Sequence, residues 1–224
     1  MAHEANKAFL KRVSLFSGLG ERQLDTLAAA SVRRSFSRGR MIVAEGESSQ
    51  SLYILLSGRA KVQRSDTEGK EVILAILEPG ECFGEMSLLD NEPRSASVIT
   101  LESCDFMAIN KEAFLGALGE NPPIAMNIMR GLVKRLREAD RKIETLALLD
   151  VYGRVARVLL DFSEEVKGQR VIRGKLPRQE IAKMIGASRE MVSRVMKGLE
   201  KDGYIGTDEE GRVVLKEKLS GYLQ

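Results

Sequence analysis

The stretch Phe83-Gly84-Glu85-Met86-Ser87-Leu88-Leu89, followed after a short polar loop by Arg94-Ser95-Ala96-Ser97, is the most informative part of this sequence. A glycine lets the backbone approach a ligand closely, and Glu85 beside it can accept hydrogen bonds from sugar hydroxyls. The planar guanidinium of Arg94 and the hydroxyl of Ser95 suit a phosphate group. The stretch therefore predicts a site for a sugar phosphate, against the alternative of a tight β-turn with a surface arginine.

Strand patterns surround this stretch on both sides. Short runs rich in β-branched and aromatic residues occur at 41–43, 52–56, 60–63, 72–77, 97–100 and 106–109, with turn glycines at 39, 46, 58, 69 and 80. Regularly spaced short strands with turn glycines predict a small antiparallel barrel or roll. Two short helices are predicted before it, within residues 6–30.

A long helical segment is predicted after Asn121-Pro122-Pro123. Its apolar positions alternate in steps of four and three residues: Ala125, Met129, Leu132, Leu136, Ala139, Ile143 and Leu146. That alternation is typical of a coiled-coil seam, and it favours a homodimer interface over packing of the helix on its own domain. The pattern changes near Asp150. We therefore expect three segments, at 1–121, 122–149 and 150–224.

The segment from Pro177 to Leu199 predicts a helix-turn-helix, with Gly186 in the turn and Ser188 capping the second helix. The candidate DNA contacts are Arg178, Gln179, Ser188, Arg189, Glu190, Ser193, Arg194 and Lys197. First-turn residues of a recognition helix contact base edges, where Arg suits guanine and Glu can accept from cytosine. Residues 204–215 predict a hairpin wing, and a polar loop is expected at about 164–175.

Charge is distributed unevenly along the chain. Residues 167–201 carry ten basic and three acidic side chains, which gives this segment a net charge of +7. The whole chain has a net charge of only +3. A local basic field of this kind is typical of nucleic-acid binding, although a solvated helix face can also produce it.

Composition excludes several classes of protein. The apolar runs are too short to cross a bilayer and the N-terminus has no signal core, so no membrane partner and a cytoplasmic location are expected. Two cysteines and one histidine cannot supply a four-ligand zinc site or an iron–sulfur cluster. No catalytic nucleophile–base pair or metal cluster is visible, so we expect neither an enzyme, such as a cyclic-nucleotide phosphodiesterase, nor a bound metal or other cofactor.

The chain resembles the CRP/FNR (cAMP receptor protein) family of bacterial transcription regulators in two motifs. They are FGEM-x-L followed by R-S-A, and Ser188-Arg189-Glu190 followed by Arg194. The resemblance extends over nearly the whole chain. It implies an α+β fold with an N-terminal antiparallel β-roll that binds a cyclic nucleotide, a long dimerisation helix and a C-terminal winged helix-turn-helix. It also implies a palindromic double-stranded operator with TGTGA-like half-sites and RNA polymerase as a partner. Ser193 replaces a glycine that is usual in the cAMP branch, so the identity of the inner bases of each half-site stays open.

The resemblance also assigns the pocket. Gly84 and Glu85 would bind the ribose, Arg94 and Ser95 the cyclic phosphate, and Arg135 would pair with Glu85. The neighbouring candidates are Phe83, Met86, Ser87 and Ala96, and two further ones at the adenine end are Ala139 and Asp140, where the cAMP-responsive proteins have a Thr-Ser pair.

Asp140 is compatible with two effectors. Asp140 can accept one hydrogen bond from adenine N6 or two from the N1–H and N2–H of guanine. Cyclic AMP remains favoured because the ribose-phosphate residues match, and cyclic di-GMP is the alternative. A ligand-independent regulator and, in a different class, a nucleotide-binding module without DNA function are the remaining readings.

Overall fold

The computed structural model describes residues 2–48, 50–166, 168–172, 174, 176–208 and 210–221. These residues form two compact units, one of 1–69 with 73–137 and the other of 70–72 with 138–224. The boundary at 137/138 falls within a long helix, α5 (Pro122–Leu148), which begins and ends close to the predicted positions. No helix among the described residues is long and apolar enough to cross a membrane.

The first unit combines helices with two sheets. Its elements before α5 are α1 (Ala2–Leu10), a 3-10 turn (Ser14–Phe16), α2 (Glu21–Ala29), β1 (Ser31–Phe36), β2 (Met41–Val43), β3 (Ser51–Ser57), β4 (Ala60–Ser65), β5 (Glu71–Leu77), β6 (Cys82–Phe83), α3 (Glu85–Leu89), β7 (Ser97–Thr100), β8 (Cys104–Asn110) and α4 (Lys111–Glu120). The sheet orders are β1-β8-β3-β6 and β2-β7-β4-β5. This is the predicted roll, with α3 inserted between β6 and β7 and the other helices at its two sequence ends.

Strand β3 shows why the roll forms. Its side chains alternate between two faces, as the strand period requires. Leu52 and Ile54 pack in a cluster with the helices, whereas Leu55 packs in a second cluster with Phe83 and Phe106 between the sheets. All five side chains are at least 95% buried. Burial on both faces makes β3 a central element of this unit.

The second unit contains the helix-turn-helix. Its elements after α5 are α6 (Val151–Asp161), β9 (Ser163–Val166), β10 (Gln169–Ile172), α7 (Arg178–Ile185), α8 (Arg189–Lys201), β11 (Ile205–Thr207), β12 (Val213–Leu215) and α9 (Lys218–Gly221). Strands β11 and β12 are the predicted wing, except that Glu209 lies outside the described residues.

The polar loop expected at about 164–175 is wrong. Strands β9 and β10 form a hairpin there, and Val171 and Ile172 are buried. Strand β10 also pairs with β12, so that the sheet order is β11-β12-β10-β9. That pairing depends on a strand far along the chain, which the polar composition of 164–175 does not reveal. Three basic residues of the charged segment, Lys167, Arg173 and Lys175, lie outside the described residues.

Candidate ligand pocket and nucleic-acid interface

Gly84 lies between β6 and α3 in the left-handed backbone region, with φ 89°. A Cβ atom at this position would be 1.8 Å from Nη1 of Arg94. A side chain is therefore excluded both by backbone strain and by the guanidinium. The absence of a side chain lets Arg94 lie directly against the backbone of the predicted sugar-phosphate stretch.

Arg94 is a buried cation with an open donor. Only 6% of the residue is exposed, and its Nη2 donates to the Ser51 carbonyl oxygen at 2.7 Å. Its guanidinium carbon lies 5.9 Å from the centre of the Tyr53 ring. Burial lowers the pKa of Arg94, although an arginine still keeps its charge. Nη1 makes no hydrogen bond to any described residue, so a bound anion would complete its coordination.

Glu85 is a buried anion with an open acceptor. Its Oε1 accepts from Nη1 of Arg135, whose Nη2 donates to the Cys82 carbonyl oxygen at 2.6 Å. Arg135 itself is partly exposed. The second carboxylate oxygen of Glu85 has no hydrogen-bond partner among the described residues. A ribose hydroxyl could donate to that oxygen while Arg135 compensates the charge.

The other predicted pocket residues differ in their surroundings. Phe83 is buried and stacks on Tyr53 with ring centres 5.2 Å apart, and Ala96 is also buried. Ser87 is buried and donates to the Pro93 carbonyl oxygen at 3.4 Å. Four other predicted pocket residues, Met86, Ser95, Ala139 and Asp140, are exposed. Two contacts of Arg94, the Ser51 carbonyl and the Tyr53 ring, had no signal in the sequence because both lie on β3.

Helix α5 carries the predicted seam. Met129, Leu136, Ala139, Ile143 and Leu146 are exposed in the single chain, whereas Ala125 and Leu132 are partly buried. Leu132 packs against the core of its own unit, so that position departs from the predicted seam.

Two exposed apolar residues in the first half of α5 were not predicted. Met126 is 46% and Val133 is 49% exposed. Together with Met129, Leu136 and Ile143 they form a second stripe with steps of three and four residues. Met129, Leu136 and Ile143 belong to both stripes, whereas Met126 and Val133 each lie one residue after a predicted position. In this second stripe Asp140 occupies the position between Leu136 and Ile143.

The predicted helix-turn-helix is present in α7 and α8. Gly186 ends α7 in the left-handed conformation, with φ 65°, and Ser188 Oγ accepts from the backbone N–H of Met191 at 3.1 Å. The inner faces are buried, including Ile181, Ala182, Ile185, Val192, Val195 and Leu199. The two helices pack on each other through this shared apolar cluster.

The outer face of α8 brings the predicted DNA contacts together. Arg189, Glu190, Ser193, Arg194 and Lys197 line one shallow surface depression. Arg178 and Gln179 are exposed at the start of α7, and Ser188 is exposed at its cap position. Charged side chains presented together on a rigid helix are suited to contact base edges and phosphates.

Comparison with known proteins gives both regions a family. Residues 33–121 match the cyclic nucleotide-binding domain, and residues 153–219 match the Crp-like helix-turn-helix domain. The chain is 35% identical over 215 residues to a cyclic AMP receptor protein of Thermus thermophilus, covering 94% of this chain and 98% of that protein. This chain belongs to the CRP/FNR family of transcription regulators.

Other CRP/FNR proteins are similar over most of their length. A CRP-like cAMP-activated global transcriptional regulator of Mycobacterium tuberculosis is 32% identical over 210 residues, covering 92% of this chain and 93% of the relative. The structure of the c-di-GMP responsive global regulator CLP of Xanthomonas campestris has a TM-score of 0.74 at 29% identity, covering 88% of this chain and 99% of that one. The relatives are DNA-binding regulators, and this chain is likewise a regulator rather than an enzyme.

Proposed function

We propose that this CRP/FNR protein is a homodimer whose binding to a palindromic operator is controlled by a cyclic nucleotide, with cyclic AMP as the effector. The arrangement of Glu85 and Arg94 carries the proposal. A buried acceptor and a buried cationic donor each keep one open hydrogen-bonding atom, at a turn where Gly84 removes the side chain. A ribose hydroxyl and a cyclic phosphate are complementary to that pair.

The exposed apolar residues of α5 support the homodimer. Leu136 is 62% and Ile143 is 64% exposed, which is unusual for large apolar side chains on a regular stripe. Pairing two copies through α5 would cover them. A ligand that binds one arrangement of the paired helices more tightly shifts the dimer towards that arrangement. Binding of both half-sites of a palindrome requires the two recognition helices to lie about one DNA turn apart.

Several finer assignments follow from the family. The segments 1–121, 122–149 and 150–224 would serve as ligand domain, dimerisation helix and DNA-binding domain. RNA polymerase would be the partner at the promoter, the half-sites would be TGTGA-like, and the protein would act in the cytoplasm.

Cyclic di-GMP is the second candidate effector, and Asp140 is the observation that favours it. This exposed carboxylate lies on α5 five residues after Arg135 and can accept two hydrogen bonds from guanine. We expect Asp140→Ala to weaken a guanine ligand about tenfold while an adenine ligand changes little. Glu144→Ala, which removes another exposed carboxylate of α5, is the control. An equal response of both ligands would contradict this role of Asp140.

The test is DNA affinity measured by fluorescence anisotropy on a duplex carrying TGTGA half-sites, without ligand, with cyclic AMP and, separately, with cyclic di-GMP. We expect affinity to rise at least about tenfold with cyclic AMP in the wild type and not in Arg94→Ala. DNA binding that ignores both cyclic nucleotides would make this a ligand-independent regulator.

A further inference from the structure

Gly198 is a helical residue in the last turn of α8, four residues before the Asp202 C-cap. Glycine in a helix interior costs about 1 kcal/mol relative to alanine, so its presence needs a packing reason. A Cβ atom on Gly198 would lie 2.5 Å from Oη of Tyr152 and 3.2 Å from Cε1 of the same ring. By contrast, the helical glycines Gly116 and Gly119 of α4 have nothing within 4 Å of such an atom. Gly198 is therefore where the Tyr152 ring rests against the backbone of α8.

Tyr152 belongs to the first turn of α6, which contacts both helices of the helix-turn-helix. Asp150 caps α6 by accepting from the backbone N–H of Gly153 at 2.8 Å. Arg154, one residue further, donates from Nη1 to the carbonyl oxygen of Ile185 at 3.0 Å. Ile185 is the last residue of α7. One helical turn thus touches the end of α7 through Arg154 and the last turn of α8 through Tyr152.

We propose that Tyr152 is a positioning residue for α8, acting through Gly198. The proposal rests on the proposed function, in which α8 reads DNA. Base-edge contacts tolerate displacements of only about 0.5 Å, so the ring that sets the height of α8 also sets which bases its side chains reach.

The first test is Gly198→Ala, measured on an operator selected from random duplexes by the wild-type protein. We expect its operator affinity to fall about tenfold or more, because the added methyl group displaces the ring or the helix. Affinity for random DNA should be retained, since it arises from phosphate contacts of basic residues that the variant keeps. Alanine favours helix, so a weaker helix cannot explain the loss. Gly116→Ala is the matched control and should leave both affinities unchanged.

The second test removes the clash from the other side. Tyr152→Phe deletes Oη and keeps the ring. Alone it should change operator affinity less than about twofold. Combined with Gly198→Ala it should restore part of the lost affinity, because it removes the 2.5 Å contact and leaves Cε1 at 3.2 Å. Tyr152→Ala removes the ring and should lower the ratio of operator to random-DNA affinity about tenfold. Thermal unfolding is recorded for every variant, and Tyr152→Ala should unfold at a lower temperature because its ring packs against the core of the second unit, so affinities are compared well below each unfolding transition. Binding of cyclic AMP should remain near the wild-type value.

The outcomes separate this proposal from the proposed function. If the wild type prefers an operator but Gly198→Ala and Tyr152→Ala keep its affinity ratio, or if Tyr152→Phe fails to rescue Gly198→Ala, the positioning role is wrong. If Tyr152→Ala lowers operator and random-DNA affinity equally, its role is only structural and the proposal is also wrong. A wild type with no preference for any sequence would overturn the DNA-reading function itself.

Discussion

The two functional regions of this chain hold their charges in opposite ways. In the roll, Glu85 and Arg94 are 5% and 6% exposed, and each keeps one atom without a partner among the described residues. On α8, Arg189, Arg194 and Lys197 are exposed to solvent. A buried charge is costly until a ligand pairs with it, whereas exposed charges act separately and each contributes modestly. The first region is therefore built for one compact ligand and the second for an extended polyanion.

The largest effect is expected at Arg94. Arg94→Ala should weaken cyclic AMP binding by about 100-fold or more, because it removes the buried cation and leaves the phosphate unpaired. Isothermal titration calorimetry measures the loss directly. Arg34→Ala, which removes an exposed arginine of β1, is the matched control. Unchanged affinity in Arg94→Ala would remove the contrast between the two regions.

The next effect concerns the surface through which two copies would meet. Ile143→Glu should weaken self-association by about 100-fold, since it places a charge in an apolar seam. Sedimentation velocity at several concentrations gives the dissociation constant. Leu148→Glu is the control, because Leu148 is 75% exposed but lies outside the predicted seam. A dimer equally stable in both variants would place the interface elsewhere.

A smaller effect is expected on α8. Arg189→Ala should weaken operator binding by about tenfold, which is typical for one lost base-edge contact, and leave cyclic AMP affinity unchanged. Anisotropy on the selected operator and calorimetry with cyclic AMP measure the two quantities. A loss of ligand affinity in this variant would mean that the two regions are not separable in the way their charges indicate.

The smallest effect is a shared sensitivity to acid. Hydrogen bonds from Ser35 at 2.5 Å and Ser57 at 2.8 Å lower the pKa of Asp105 in the roll, and the Arg212 side chain lowers that of Asp208 in the wing. A carboxyl with a lowered pKa stabilises the fold above its unfolded value of about 4, and that stability is lost as pH falls below it.

Asp105→Asn should therefore flatten the decrease in unfolding temperature between about pH 5 and pH 3. The free energy of unfolding should differ between the variant and the wild type by less than about 1 kcal/mol, because Asp105 is exposed. Parallel acid titrations of the wild type and of Asp208→Asn provide the comparison for the wing. A steeper decrease in either variant would contradict the sign of these pKa shifts.

Local sequence signals predicted the helix-turn-helix of the second unit closely. Gly186, the Ser188 cap and the apolar period of α8 all act within a few residues, so the turn and the start of α8 lie where expected, and α8 ends two residues beyond Leu199, at Lys201. Strand β1 was missed because its central side chains, including Val32 and Arg33, are exposed and show no alternation. It forms by pairing with β8, which is distant in sequence.

The same limit applies to the candidate site. The motif located Gly84, Glu85 and Arg94, but the Ser51 and Tyr53 contacts arise because Tyr53 pairs with Phe83 across β3 and β6. Pairing of strands that are far apart in the chain leaves no local pattern. On α5, periodicity identified an apolar stripe, but only packing against the roll core shows that Leu132 faces its own unit while Val133 is exposed.

The central claim is that the buried pair of Glu85 and Arg94 binds a cyclic nucleotide. Its most direct test is calorimetric titration of cyclic AMP and, separately, cyclic di-GMP into the purified protein and into Arg94→Ala. We expect saturable heat with cyclic AMP in the wild type and none in the variant. Heat with cyclic di-GMP alone would make it the effector and support the guanine contact of Asp140. No heat with either nucleotide would contradict the claim.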